Sequence, residues 1–332
     1  MEGLVAYGFF FLTLVGIYGL LALGLNVQWG YAGMLNIGVA AFFAVGAYTS
    51  AILTTAPSAS HLGGFEMPVW IGLLAAMFMS GLLAIFVGLI TLNLRSDYLA
   101  IASIGIAEIV RLVLTNEGWL TGGVRGLAAV PQPTSGRAPD WLAALVPAPD
   151  QFLYMLLVLL LLMIVYWANE RAWRAPWGRA LRGLRDNEAA ARAMGKNALA
   201  FRLQAFTFGS MVMGLAGGAY AHFVGFISPE AFHPLYATFL VWAMLIVGGS
   251  GNNRGALVGA FVIWIIWSGS EFIITRLPED FIARGAAVRV LLIGIVLQVV
   301  LLWRPRGLLP EQPPRPIEND RSISSPGRTR PR

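Results

Sequence analysis

Glu108 and Arg111 are the charged residues of this sequence most in need of a chemical account, because they stand three apart inside an apolar block, YLAIASIGIAEIVRLVL from Tyr98. That spacing puts both on one face of a helix. Charge inside an apolar span is costly, and it marks either a self-neutralising ion pair that pins helices or a group lining a path or gate. The residue types alone leave both readings open. Other chemistries are poorly supplied. His61, His222 and His233 are scattered, without an i, i+4 pair or a neighbouring carboxylate cluster to complete a metal shell. The chain has 0 cysteines, which removes disulfides, thiolate ligands and thiol nucleophiles. The run GGSGNNRG from Gly248 has the glycines of a phosphate loop but lacks its Lys-Ser/Thr ending. No Ser/His/Asp constellation or paired carboxylates can be assembled either. The expectation is a protein that is not an enzyme and holds no cofactor or metal, with any nucleotide chemistry supplied by another subunit.

Glycine and asparagine make a second set. Gly30, Gly33 and Gly38 lead into one apolar helix, and Gly249, Gly251, Gly255 and Gly259 lead into another. Glycine-interrupted apolar segments recurring in two halves of a chain point to a path between structural repeats. They also permit close helix packing. Asn26 and Asn36 flank the first set and are suited to hydrogen-bond backbone that glycines free from helical pairing.

The elements that must position these residues are set by the bulk composition. Of 332 residues, 57% are hydrophobic and 12% charged, about half the charged share of a soluble domain. Apolar blocks fall at 4–25, 37–55, 68–92, 98–115, 151–168, 202–223, 236–249, 255–275 and 286–303. Each approaches the roughly 20 residues that a helix needs to cross the bilayer. The pattern predicts an all-α polytopic membrane protein of about 8–10 spans, with glycine-broken segments and a transmembrane body over residues 1–310. The first block is read as a retained span, since Glu2 replaces the positive region of a leader. Residues 311–332, rich in Pro, Ser and Arg, are expected to form a disordered tail.

Arginine sets the orientation. Residues 170–202 carry Arg171, Arg174, Arg179, Arg182, Arg185, Arg192, Lys196 and Arg202, and more arginines follow Trp303. By the positive-inside rule both stretches are cytoplasmic, which puts the connection 116–150 and the N-terminus outside. The net charge of +6 therefore reports topology, and no nucleic acid is expected as a partner. Arg95 and Asp97 read as an interfacial cap on the block that holds Glu108. Within the basic loop, Pro176 suits a first helical turn, Gly195 a left-handed stop and Asn197 a cap for the next helix. Leu181, Leu184, Ala191 and Met194 fall near one face and are expected to offer apolar contacts outside the bilayer.

Glu188-Ala189-Ala190 followed by Gly195 resembles the EAA coupling loop of ABC importer permeases. Longer stretches narrow the resemblance to permeases of branched-chain amino acid importers of the LivM type. They are GLNVQWGYAGMLNIGVAAFFAVGAYTSAIL from Gly24, LRSDYLAIASIGIAEIVRLVLTNEGWLTGGVRG from Leu94, GLAGGAYAHFVGFISPEAF from Gly214, VGGSGNNRGALVGA from Val247 and RPRGLL from Arg304. This resemblance implies one half of a heterodimeric channel in the bacterial inner membrane. A related second permease, two ATPase subunits and a periplasmic binding protein would complete it. It also implies that Arg179, Arg182, Glu188, Ala189, Ala190 and Gly195 contact the ATPase. Two departures, Gly38-Val39 where relatives commonly have Gly-His, and Asn253-Arg254-Gly255 where they have an apolar Trp-Gly-Pro-like stretch, fall in the glycine-rich segments. An ion-coupled secondary transporter is the competing class, with Glu108 and Arg111 as its only intramembrane ionisable candidates.

Overall fold

A computed structural model describes residues 2–57, 62–92, 96–274 and 279–311. The expected cap at Arg95 and Asp97, His61, and the tail from 312 onward lie outside what it describes. Thirteen α-helices occur among the described residues: α1 Glu2–Leu25, α2 Val39–Thr54, α3 Val69–Thr91, α4 Ser96–Asn116, α5 Gly118–Thr121, α6 Asp140–Leu145, α7 Pro149–Arg174, α8 Pro176–Asp186, α9 Glu188–Ala193, α10 Ala198–Val224, α11 Leu240–Gly248, α12 Asn253–Ile274 and α13 Glu279–Trp303. Single π-helical turns extend α1 over Asn26–Tyr31 and precede α11 over Leu235–Phe239. Five helices are long and apolar enough to cross a bilayer unaided, and Val39–Thr54, Leu235–Gly248 and Ala287–Trp303 are shorter apolar helices.

The solvent is written on α3. Trp70, Leu74, Phe78, Leu82, Phe86 and Ile90, every fourth residue, are exposed, whereas Gly72, Ala76, Ser80, Ala84 and Gly88 face inward. A soluble helix would show the reverse. With lipid as apolar as leucine, burial no longer drives the packing, and small residues that let backbones approach take over. The inner face of α10 follows this rule with Gly209, Ser210, Gly214, Ala216, Gly217, Gly218 and Ala219, all buried. It packs against α1, α2 and α3. The α11–α12 crossing is tighter still: a Cβ on Gly259 would lie 2.8 Å from the Gly248 Cα and collide with the Met244 carbonyl.

The molecule has two ends. Phe10 meets Phe223, and Ser50 meets His222, where α1 begins and α2 and α10 finish. Gly30, Gly251 and Arg185 meet at the other, where α8 and α9 lie. The last packed segment, Arg304–Glu311, reaches that same end: the Leu308 and Leu309 amides donate to the Val247 and Gly248 carbonyls, each at 2.9 Å, as a strap across the end of α11. Glu311, read from sequence as the start of the tail, belongs to this strap.

Candidate functional site

Between the π turn ending at Tyr31 and the start of α2 at Val39, the chain leaves helix altogether. Buried non-helical backbone persists only where protein or water satisfies its polar groups. Side chains do so here. Ser103 Oγ accepts from the Ile37 amide at 2.9 Å, Asn36 Oδ1 from the Gly38 amide at 2.8 Å, and Thr238 Oγ1 from the Ala40 amide at 3.2 Å. The Trp242 indole donates to the Asn36 carbonyl at 2.9 Å. The second π turn thus lies against the first break, through Thr238.

Two buried amide networks hold the break from behind. Gln28 donates to the Phe206 carbonyl at 2.9 Å and Ser210 Oγ at 3.0 Å, and its Oε1 accepts from Asn36 Nδ2 at 2.7 Å. In the other, Asn253 Oδ1 accepts from Tyr31 Oη at 2.6 Å and from Asn26 Nδ2 at 3.0 Å, while Asn253 Nδ2 donates to Glu170 Oε2 at 3.1 Å. Asn26 Oδ1 accepts from the Gly251 amide at 2.8 Å. Gly249 and Gly251 of the second glycine set therefore lie in a turn between α11 and α12, whereas Gly255 and Gly259 lie within α12, and Asn26 ties this turn to the first set. Gly249 and Gly251 hold positive φ of 112° and 83°, with the strap lying against both.

α8 closes this end. Pro176 opens it, and a break at Asn187 separates it from α9, with Asn187 Oδ1 capping the Ala190 amide at 3.0 Å. The one surface helix expected from sequence is thus two. Gly195 stops α9 at φ +77°, and Asn197 caps α10 by accepting from the Ala200 amide at 3.1 Å. The apolar stripe is oriented otherwise than expected. Leu181, Leu184 and Ala191 are buried within the protein, because α8 and α9 fold back on α10, and Met194 alone points out, 74% exposed. The outer surface of α9 consists of Ala189, Ala190, Arg192 and Ala193, continued by Met194, Gly195 and Lys196. Glu188 is held at 2.5 Å from Arg192 and 2.7 Å from Arg202. Arg179 is exposed, but Arg182 turns inward and sits 3.7 Å from the Trp173 ring centroid. Arg185 reaches the Gly30 carbonyl and pairs with Glu311 at 3.0 Å. Burial works against the Arg185 charge, and the carboxylates of Glu311 and Asp186 outweigh it, raising its affinity for the proton.

Glu108 and Arg111 do not join the break. Arg111 Nη2 and Nε engage both Glu108 oxygens at 2.6–3.2 Å, and Nη1 stands 3.7 Å from Glu230, whose side chain is largely exposed. The stability losses of Glu108→Gln and Arg111→Gln in detergent should therefore sum to more than the loss of the double variant. The coupling should be roughly 0.5 kcal/mol or more, small because both groups are partly exposed. Strictly additive losses would show that the pair contributes nothing.

At the opposite end a cavity of about 470 Å³ is lined by Tyr18, Gln132, Asp150, Tyr154, His222 and Trp264. Its histidine is fully partnered, with Nε2 2.8 Å from Ser50 Oγ and Nδ1 2.7 Å from the Pro131 carbonyl. Among the described residues no group of His, Asp and Glu could hold a metal ion. Gln28, Tyr31, Glu170 and Asn253 escaped the sequence reading, which had noticed Asn253 only as a departure. For Gln28, Tyr31 and Asn253 the signal is an uncharged polar side chain close to glycines; Glu170 has no such signal.

A polytopic helical membrane protein with a buried non-helical link between its first two apolar helices, and a small helical module seated where the first of them ends, has the build of a transport permease. The chain belongs to the family of branched-chain amino acid transport system permease components, which matches residues 7–301. It is 33% identical over 319 residues to the high-affinity branched-chain amino acid transport system permease protein LivM of Escherichia coli, covering 91% of this chain and 70% of that one. The probable branched-chain amino acid transport permease protein LivM of Methanocaldococcus jannaschii is 29% identical over 90% of this chain and 92% of its own. The autoinducer 2 import system permease protein LsrC of an Enterobacter is 28% identical over 74% and 68%. No solved structure matches significantly. None of these relatives points to ion-coupled transport.

Proposed function

We propose that this chain is one permease subunit of an ATP-driven importer of branched-chain or related amino acids. It would pair with a second, related permease, two ATPase subunits and a substrate-binding protein, in a bacterial inner membrane. The arginine-rich end faces the cytoplasm and the N-terminus faces outward. The observation that carries this reading is the α8–α9 module: a stub with small outward residues and one exposed methionine, ended by a left-handed glycine and seated on the π turn that ends α1. A helix of that shape fits a groove in another protein, and a push on it reaches the spans as a rigid body. The names of the LivM relatives support aliphatic amino acids as cargo, whereas the autoinducer 2 relatives show how far the family's cargo ranges. Asn26, Gly30, Gly33, Asn36 and Gly38 are the helix-break residues through which the path would be shaped, with Gly249 and Gly251 behind them.

The test is purification of the tagged chain with its genomic neighbours, followed by reconstitution. An ATPase subunit should co-purify, vesicles should take up leucine only with ATP and binding protein, and a cysteine at position 193 should react with an impermeant reagent only after the membrane is opened. Leucine uptake without ATP, or labelling of position 193 in intact cells, would overturn the reading.

A further inference from the structure

In sequence, Arg185 is one of eight positive charges that orient a loop. In the fold it is the point where three segments far apart in the chain meet. Its Nη1 donates to the Gly30 carbonyl, Nη2 pairs with Glu311 of the strap at 3.0 Å, and Nε bonds Asp186 at 3.1 Å. The Gly30 carbonyl lies at the end of the π turn, where the chain turns out of helix and intrahelical donors run short. Cationic side chains suit such an end, since the last carbonyls carry partial negative charge. Contact continues along the stem: a Cβ on Gly33, itself at φ +68°, would stand 2.8 Å from the Arg185 Cγ.

One turn earlier on α8, Arg182 covers the Trp173 ring at 3.7 Å, and Trp173 packs on Tyr31 with centroids 4.6 Å apart. Tyr31 then bonds Asn253 at 2.6 Å. Two arginines three residues apart, on one face of α8, thus bear on two consecutive residues of the π turn, Arg185 directly on Gly30 and Arg182 on Tyr31 through Trp173. The outer surface of α9 is left free for a partner.

We propose that Arg185 is the positioning residue for energy coupling in this permease: it fastens α8 to the Gly30 carbonyl and to Glu311, so that displacement of the α8–α9 module moves the π-turn end of α1 and the strap together. This rests on the importer reading above. A guanidinium fits the task because it holds two partners at once in a fixed fork, whereas a lysine ammonium is a point charge with no such geometry. Movement of α8 without this fastening would leave the break behind, and ATP would be hydrolysed without cargo crossing.

The experiment compares Arg185→Gln, Arg185→Lys and Glu311→Gln with the unaltered chain in the reconstituted complex. Its readouts are melting temperature, ATPase co-purification, hydrolysis stimulated by loaded binding protein, and leucine moved per ATP hydrolysed. Arg185→Gln should retain the ATPase and its stimulated hydrolysis yet lower leucine per ATP by about tenfold, within the usual range of a coupling between sites. Glu311→Gln keeps the Gly30 contact and Arg185→Lys keeps one partner at a time, so both should fall between. If Arg185→Gln does not assemble, the other two variants decide by the same ratio. An unchanged ratio in all variants that assemble, or hydrolysis and uptake falling together in proportion to melting temperature, would mean that Arg185 is only a helix cap. Absence of any ATPase from the unaltered chain would instead overturn the importer reading, and this proposal with it.

Discussion

Asn253→Leu should be the most destabilising single substitution where the start of α12 meets the end of α1, although it replaces a polar side chain by an apolar one of similar size in a membrane protein. Asn253 is 3% exposed and serves three partners at once. Its removal leaves Asn26 Nδ2 and Tyr31 Oη without their short acceptor, and the Tyr31 hydroxyl keeps only a 3.4 Å contact with the Asn169 carbonyl. Each buried polar group stranded in this way costs about 1–3 kcal/mol. Tyr31→Phe removes one hydrogen bond of the same cluster and should cost roughly 1 kcal/mol. Asn253→Asp is informative in the opposite sense. It keeps the acceptor for Tyr31 and Asn26 but sets a second carboxylate against Glu170, where a donor stood at 3.1 Å. Melting temperature in detergent and folded yield should rank unaltered, Tyr31→Phe, then Asn253→Asp and Asn253→Leu well below. If Asn253→Leu melts within error of Tyr31→Phe, the network is not what holds the break closed.

The residues of that network explain why part of this protein was legible in its sequence and part was not. Apolar blocks near the span length gave the helices, because the bilayer imposes one length and few alternatives. Pro176, Gly195 and Asn197 marked α8–α10 boundaries that the structure shares, since caps and left-handed stops depend on single residues. The inward turn of Leu181 and Leu184 was not legible: a helical stripe says that one face is apolar, not which neighbour covers it. The second π turn, Leu-Tyr-Ala-Thr-Phe, contains no glycine or proline, so no local signal announces it. Its place is fixed by long-range contact, the Thr238 hydroxyl meeting the Ala40 amide. Arg185 was legible as a charge but not as a clasp, because its partners lie 155 and 126 residues away.

Bulk added at Ala190, or a β-branched side chain at Gly195, should sharply reduce transport while the chain still inserts and folds. Ala190 is exposed, and nothing lies within 4 Å of a Cβ built on Gly195, so neither change collides with the protein itself. The cost at Gly195 is local: valine is strained at φ +77°, about 1–2 kcal/mol for the left-handed region, and the stop would reorient or fray the last turn of α9. That is enough to re-aim a six-residue helix without unfolding the long spans, which keep their own hydrogen bonds. Ala190→Trp leaves the α9 backbone alone and instead fills whatever groove receives its small residues. Both variants should reach unaltered membrane levels and melting temperatures within a few degrees. Uptake should fall about tenfold or more, a loss of roughly 1.4 kcal/mol or more of docking energy being sufficient. The two should differ in how they fail. Ala190→Trp should reduce the ATPase that co-purifies, because the clash is in the contact. Gly195→Val should retain more ATPase but weaken its stimulation by loaded binding protein, because the helix docks at the wrong angle. Unchanged uptake, co-purification and stimulated hydrolysis in both variants would leave α8–α9 as an ordinary basic connector and would take away the main physical support for an ATP-driven mechanism.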